Sequence, residues 1–322
     1  MQESTKHAIA TTFKIINIIT FAIVSLIWKI KTPNLPTDQQ YIIQAFAATV
    51  TLFFIMLLFQ GNGAGSRATR TKNKFRVHSI KSYLYRAAIN AIGVPVWMQS
   101  LKLIGANEAM GIGQLTPVFT SMMAVLFLKE KIRANWVIAL SLGLCGVFVM
   151  LYANPSQTSI EFSSDYVKGI FFAFVAAISF GAYNIICKIQ TNVNDDYFTQ
   201  AFYCFLFATL IAVPFAIPGW KEVSAEEMFW SVLSGVIGVL SVVTLFLSYK
   251  FSSVVRMSPH SYLRVIFTAI TMYILKDEVP SQALTIAICL ILLGNFCVVF
   301  EGTFYRLFKG KKKGPDLQGS QI

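Results

Sequence analysis

The chain has 322 residues, 55% of them hydrophobic and 13% charged, with a formal net charge of +12 and a mean hydropathy of +0.61. Soluble domains carry roughly 25% charged residues, so the composition excludes a soluble globular protein and identifies an integral membrane protein. It also excludes a nucleic-acid-binding module, because no basic folded domain stands outside the apolar runs.

Met1–Lys14 carries Glu3, Lys6 and His7 and no small-residue cleavage site ahead of a long apolar run. It reads as a cytoplasmic stub leading into a first span, not as a cleaved signal peptide. Stretches of about 20 apolar residues are needed to cross the hydrocarbon core. Ten follow, at about 8–28, 40–59, 82–103, 106–128, 134–153, 167–187, 198–217, 228–249, 252–275 and 281–300. Irregular backbone does not face lipid, so spans of this length must be helices. The turns are short except at 60–81 and 154–166. The five cysteines lie inside apolar runs with no CxxC pair, and read as small packing residues.

Basic residues gather on the cytoplasmic side. With the first residue inside, seventeen fall there, among them Arg67, Arg70, Lys72, Lys74, Arg76 and Lys81 in the long loop and Arg306, Lys309, Lys311, Lys312 and Lys313 in the tail. Six fall outside: Lys29, Lys31, Lys102, Lys168, Lys221 and Lys276. Both termini are therefore expected in the cytoplasm. Each half then holds five spans, so the second half enters from the opposite side.

The halves also resemble each other. An offset of 148 positions sets Leu115, Phe119, Thr120, Glu130, Ile138, Ala139, Leu142, Leu144, Gly146 and Phe148 on identical residues, Glu278 and Gly294 among them. A looser match sets Lys29–Thr32 on Lys188–Thr191. An internal repeat in an apolar chain marks secondary transporters, whose site lies between the repeats. The expected organisation is a first repeat over 1–153, a second over 154–303 and a basic cytoplasmic tail over 304–322. The fold class is an all-α membrane protein of ten transmembrane helices in two inverted five-helix repeats.

The stretch Gln114–Phe119, Phe127–Glu130 and Gly143–Gly146, with its counterpart Pro259–Leu263, Leu275–Pro280 and Gly294, resembles the drug/metabolite transporter superfamily. The EamA-type ten-helix transporters are the most similar. The resemblance covers most of residues 8–300 and implies transport of a small molecule by alternating access, in a bacterial inner membrane. Pro259–Pro280 is also similar to the bacterial S-adenosylmethionine uptake branch. The chain departs from the pattern in carrying Val265 where the first repeat has Pro117, with Arg264 beside it.

Four basic residues stand at membrane depth: Lys14, Arg86, Arg256 and Arg264. Such charges face a wet cavity or a partner. Arg256, His260 and Arg264 recur every fourth residue, which places them on one stripe of a helix. Arg264 would offer a planar fork to a carboxylate or phosphate. A second stripe carries Arg86, Asn90 and Trp97. Asn17, Gln114, Tyr183 and Asn184 add amide and phenol groups, and Trp97 or Tyr262 could hold a cationic or planar group. These ten residues (Arg264, His260, Tyr262, Gln114, Trp97, Asn90, Arg86, Tyr183, Asn184 and Asn17) are the candidate substrate-binding set, each with interhelical hydrogen bonding as its alternative.

No phosphate-binding loop, metal-ligand cluster or nucleophile–base pair stands in the sequence, so no cofactor, no metal and no catalytic residue is expected. The expected partners are a small-molecule substrate and the lipid bilayer, without nucleic acid; monomer and dimer stay open. A secondary transporter moving a small polar metabolite with an anionic group is the leading reading; S-adenosylmethionine uptake by exchange fits the branch resemblance, and a phosphorylated or nucleotide substrate would also suit a basic cavity. Amino-acid or drug export is the alternative within transport, and a membrane-embedded enzyme is the alternative from another class. Glu108 is the acid nearest to membrane depth, so exchange or facilitated diffusion is expected instead of proton symport.

Overall fold

The computed structural model describes residues 3–58, 80–104, 106–152, 163–193, 195–267, 270 and 282–299. Every regular element among them is helical. In chain order they are α1 (Glu3–Ile30), α2 (Thr37–Leu58), α3 (Ile80–Leu103), α4 (Ala106–Gly113), α5 (Thr116–Leu128) and α6 (Ala134–Tyr152). Then come α7 (Ser164–Gln190), α8 (Tyr197–Ala216), α9 (Ala225–Phe251), α10 (Val254–Met257) and α11 (Gln282–Val299). A 3₁₀ turn follows α8 at Ile217–Gly219, and another follows α10 at Ser258–Tyr262. The basic loop, apart from Lys81, the C-terminal tail, the Glu108 side chain, Glu278 and the 153/154 boundary lie outside the described residues.

Six helical segments are long and apolar enough to cross a bilayer: Thr5–Ile30, Thr37–Leu58, Gly111–Leu128, Ser164–Gln190, Tyr197–Gly219 and Ala225–Phe251. Ala134–Val149 and Thr285–Val298 are shorter apolar helices; α3 and the segment opening at α10 complete the ten. Large apolar side chains on the outer faces, such as Leu58 (80% exposed), Phe127 (71%) and Phe215 (72%), are what lipid would cover.

Local chemistry sets the helix ends. Ser163 accepts from the Tyr166 amide and Asp196 from Phe198 and Thr199, while Ser224 and Glu227 form a reciprocal capping box.

Two segments depart from the expected unbroken helices. Span four breaks at Gln114–Leu115, where the amides turn back to Gly111 and Ile112 (3.1 and 2.9 Å). Pro117 has no amide to continue a ladder and sits at the start of α5. Span nine opens as one turn of α-helix and tightens into the 3₁₀ turn at Ser258–Tyr262, with Pro259 at its start. At the 148-residue offset the first break, Gln114–Leu115, falls on Tyr262–Leu263, the end of the second. Each repeat therefore carries a discontinuous fourth helix, and irregular backbone at membrane depth belongs where it lines a cavity or is buried in protein.

Helix pairing repeats itself when the halves are exchanged. α3 packs on α7 as α1 packs on α9; α3 packs on α8 as α9 packs on α2. α4 and α5 lie against α7, and the 3₁₀ turn and α10 lie against α1. α2 with α8, and α6 with α11, pair with their own counterparts. The last crossing explains why the sequence repeat is clearest there. A Cβ on Gly146 would meet the Ala287 carbonyl at 2.9 Å, and one on Gly294 would meet the Ala139 carbonyl at 2.9 Å. Gly146 and Gly294 are equivalents, as are Ala139 and Ala287, so one steric demand acts on both halves.

Gly235 permits a similar approach of α9 to α2, because a Cβ there would collide with the Gln44 carbonyl and sit 2.9 Å from the Ala47 Cβ. Gly235→Ala is expected to destabilise the bundle by about 1–3 kcal/mol through overpacking. The melting temperature of purified protein in detergent checks this; an unchanged value would mean that the helices separate freely. Gly238, whose Cβ would meet only Gln44 Nε2 at 3.6 Å, should tolerate alanine.

Candidate functional site

The site grows from one face of α1. Lys14, Asn17 and Phe21 are spaced three and four apart, hence on one stripe. Asn17 Nδ2 donates to the Ser241 carbonyl (2.9 Å) and hydroxyl (3.0 Å) of α9, which fixes the face inward. The Phe21 ring meets Phe180 of α7 edge-on, with centroids 6.0 Å apart and planes at 85°. The 159-residue offset that pairs Lys29 with Lys188 also pairs Phe21 with Phe180. The two rings are thus repeat equivalents meeting between the halves.

Around this pair the aromatic layer continues. Phe180 meets Trp97 of α3 at 6.3 Å, and the Trp97 ring lies over Gly113, where a Cβ would stand 2.7 Å from it. Gly113 is the last residue of α4, so the indole seats itself at the break in span four. On the other side the Arg264 guanidinium stacks over Phe21, with its Cζ 4.5 Å from the ring centroid. Its Nε is buried with no hydrogen-bond partner, while part of the side chain remains accessible. The Gln114 carbonyl oxygen and the Trp97 indole nitrogen are also buried without partners. Asn184 donates to the Thr120 hydroxyl at 3.2 Å. Arg264, Trp97, Asn17 and, at the break, Gln114 are therefore brought together around Phe21 and Phe180, with Asn184 about one turn along α7.

The other candidates go elsewhere. Arg86 is fully buried and bonded within the protein, Nη1 to Gln190 Oε1 (2.9 Å) and Nη2 to the Tyr183 hydroxyl (2.8 Å). It stacks on Tyr183 and Phe246, at 4.9 and 4.3 Å. Asn90 accepts from the Tyr41 hydroxyl at 2.8 Å. Arg86, Asn90 and Tyr183 thus hold α2, α3, α7 and α9 together beneath the aromatic layer. Tyr262 is buried against Gly143 of α6, its hydroxyl unbonded. His260 is buried in the 3₁₀ turn, close to His7, Lys14 and Arg256. The α-helical stripe expected for Arg256, His260 and Arg264 is corrected: the turn has about three residues per turn. His260 and Arg264 nonetheless both look at α1.

Lys14, Phe21 and Phe180 are functional candidates missing from the sequence-derived set. Lys14 is buried (3% exposed), and its ammonium lies 5.3 Å from the Tyr249 ring centroid. A basic residue at membrane depth was the signal for Lys14, and the repeat offset was the signal for the rings.

Glu130 takes a role that its place in the sequence does not suggest. α5 ends at Lys129 in the left-handed conformation (φ 53°), with the Glu130 amide returning to the Ala124 carbonyl at 3.3 Å. That turn carries the Glu130 carboxylate to the start of α10, where it accepts from the Val254 and Val255 amides at 3.0 and 2.9 Å. On the facing side of the same turn, Lys188 Nζ donates to the Tyr249 and Ser252 carbonyls at 2.6 and 2.9 Å.

The chain matches the EamA-like transporter family over residues 8–152 and 167–300. It is similar to the S-adenosylmethionine uptake transporter of Rickettsia prowazekii (strain Madrid E), 23% identical over 257 residues that cover 80% of each chain. It is similar also to the riboflavin transporter of Brucella anthropi, 23% identical over 67% of this chain and 73% of that one. The pseudopaline exporter of Pseudomonas aeruginosa is 24% identical over 83% and 87%. A crystal structure aligns at TM-score 0.74 and 18% identity, over 91% of this chain and 97% of that one, and so shares its fold. A two-part match spanning most of the sequence, on a helical bundle of two inverted halves, settles the assignment: this multi-pass membrane protein belongs to the EamA-like transporter family.

Proposed function

We propose that the protein is a secondary transporter that moves a small polar metabolite bearing an anionic group and a flat ring, by alternating access around the Phe21–Phe180 layer. The observation that carries the reading is Arg264: a guanidinium at membrane depth, stacked on a ring, with a buried unbonded Nε. A charge so placed faces a wet cavity or a partner, and the planar fork suits a carboxylate or phosphate. The rings supply faces and edges for a planar solute.

Residues 1–153 and 154–303 then act as the two rocking repeats, with both termini in the cytoplasm of a bacterial cell and no enzymatic step. S-adenosylmethionine uptake by exchange is the first substrate to test, because relatives bear that name. Its carboxylate would meet Arg264 and its adenine the rings. Export of an amino acid or drug is the second reading, supported by the exporter among the relatives.

Exchange is expected because the described residues around Arg264 supply arginine, lysine, histidine and amides, and no carboxylate to carry a proton. Proteoliposomes preloaded with S-adenosylmethionine should take up labelled S-adenosylmethionine several-fold faster than empty ones, and a pH gradient alone should drive no accumulation. Strong proton-driven accumulation in empty vesicles would replace exchange with symport.

A further inference from the structure

Phe21 and Phe180 keep part of their side chains accessible, whereas Trp97 is 3% exposed. The indole therefore stands behind Phe180 and not beside it in the accessible layer. The two rings meet with centroids 6.3 Å apart and planes at 68°. The far carbons of the indole lie against Gly113, the last residue of α4. A Cβ there would stand 2.7 Å from Trp97 Cη2 and 2.8 Å from Cζ3, so only a hydrogen fits. One turn earlier on α3, a Cβ on Gly93 would lie 2.9 Å from the Ser179 Cβ and 3.7 Å from Phe180 Cε1. The indole N–H bonds no protein group, so packing alone fixes where that ring sits.

The repeat does not supply this backing twice. At the 148-residue offset Trp97 falls on Leu245 and Gly113 on Ser261. Phe21 is covered instead by the Arg264 guanidinium, 4.5 Å from its centroid. The ring pair is thus matched at its centre and different at its ends, with a cation over Phe21 and an indole behind Phe180.

We propose that Gly113 and Trp97 are positioning residues: the missing side chain at 113 seats the indole, and the indole holds Phe180 at the angle that receives the flat ring of the solute. They act through Phe180 and do not touch the solute, which makes Trp97 a support and not a ligand. A methyl group at 113 has no space beside the indole. The close-packed interior passes the displacement on to Phe180 instead of absorbing it. This rests on the transport reading above and assigns the solute's flat ring to the Phe180 end of the layer.

The test uses the full-length protein in detergent, with S-adenosylmethionine, adenosine and riboflavin as flat-ring probes and methionine as the ring-free one. Apparent Kd values are read from ligand-dependent shifts in melting temperature. Wild-type protein should bind S-adenosylmethionine about tenfold or more tighter than methionine, the scale of one stacked ring. Gly113→Ala should remove most of that advantage and change methionine by less than about twofold. Trp97→Phe inserts no clash and should weaken the flat-ring probes in the same selective way, by a smaller factor. In the double variant the shorter ring leaves room for the methyl, so affinity should return to the Trp97→Phe level.

Equal weakening of all probes, unchanged flat-ring affinity in Gly113→Ala, or a double variant no better than Gly113→Ala overturns the positioning role and leaves the transport reading intact. No wild-type shift with any flat-ring probe removes the flat ring from that reading, and this proposal with it.

Discussion

Arg264→Lys is expected to lower substrate uptake about 100-fold while leaving folded protein near the wild-type amount. Lysine keeps the charge but loses the fork and the planar face that lies 4.5 Å from the Phe21 centroid. Losing one charge-assisted hydrogen bond to the solute removes about 1.5–3 kcal/mol, which is about 10- to 150-fold in affinity. The fold should not suffer equally, because the buried Nε bonds no protein group and its loss orphans no acceptor. Arg264→Met, which keeps an apolar stem over Phe21, should also fold and should abolish uptake. Uptake normalised to protein in the membrane, beside the melting temperature of each variant, separates the two roles. Wild-type uptake in Arg264→Lys, or loss of folded protein in both variants, would make Arg264 a packing residue.

Much of this architecture is written in the order of the residues alone. The spans are legible because lipid imposes a length and a polarity on each. The repeat is legible at α6 and α11 because Gly146 faces Ala287 and Gly294 faces Ala139 across one crossing, so both halves carry the same residues. The broken helices are not legible, since Gln114–Leu115 lies in a run apolar enough for a helix and the break depends on how Pro117 and the glycines preceding it redirect a few amides. Arg86 shows the same boundary. Its depth is plain from hydropathy, but only the meeting of α3 with α7 brings Gln190 and Tyr183 to its guanidinium, and that turns a candidate ligand into a joint. Phe21 and Phe180 are two of 28 phenylalanines, and only the 159-residue offset distinguishes them.

Glu130→Ala is expected to release the turn between α9 and α10 and to open the bundle at that end. The wild-type carboxylate takes two backbone amides at once, Val254 at 3.0 Å and Val255 at 2.9 Å, and both valines are fully buried. Without it these amides lose a charged acceptor that also complements the positive end of α10, for a loss of about 2–4 kcal/mol in the state where the turn is clamped. Lys188 holds the other side of the turn through the Tyr249 and Ser252 carbonyls. Glu130 comes from the first repeat and the turn from the second, so the contact resists rocking of one half against the other. Cys187, next to Lys188 and fully buried, is a native reporter of that opening. Its labelling by a polar maleimide should accelerate at least about tenfold in Glu130→Ala, the factor that 1.4 kcal/mol gives. Glu130→Gln, which keeps one acceptor, should fall between. Lys188→Met should act in the same direction, and the double variant should exceed neither single by much, because both residues clamp one turn. Under the proposed alternating access, transport should fall in all of them, since closure at this end would be one half of that cycle. A lower melting temperature with Cys187 labelled at the wild-type rate would reduce Glu130 to a helix cap with no part in gating.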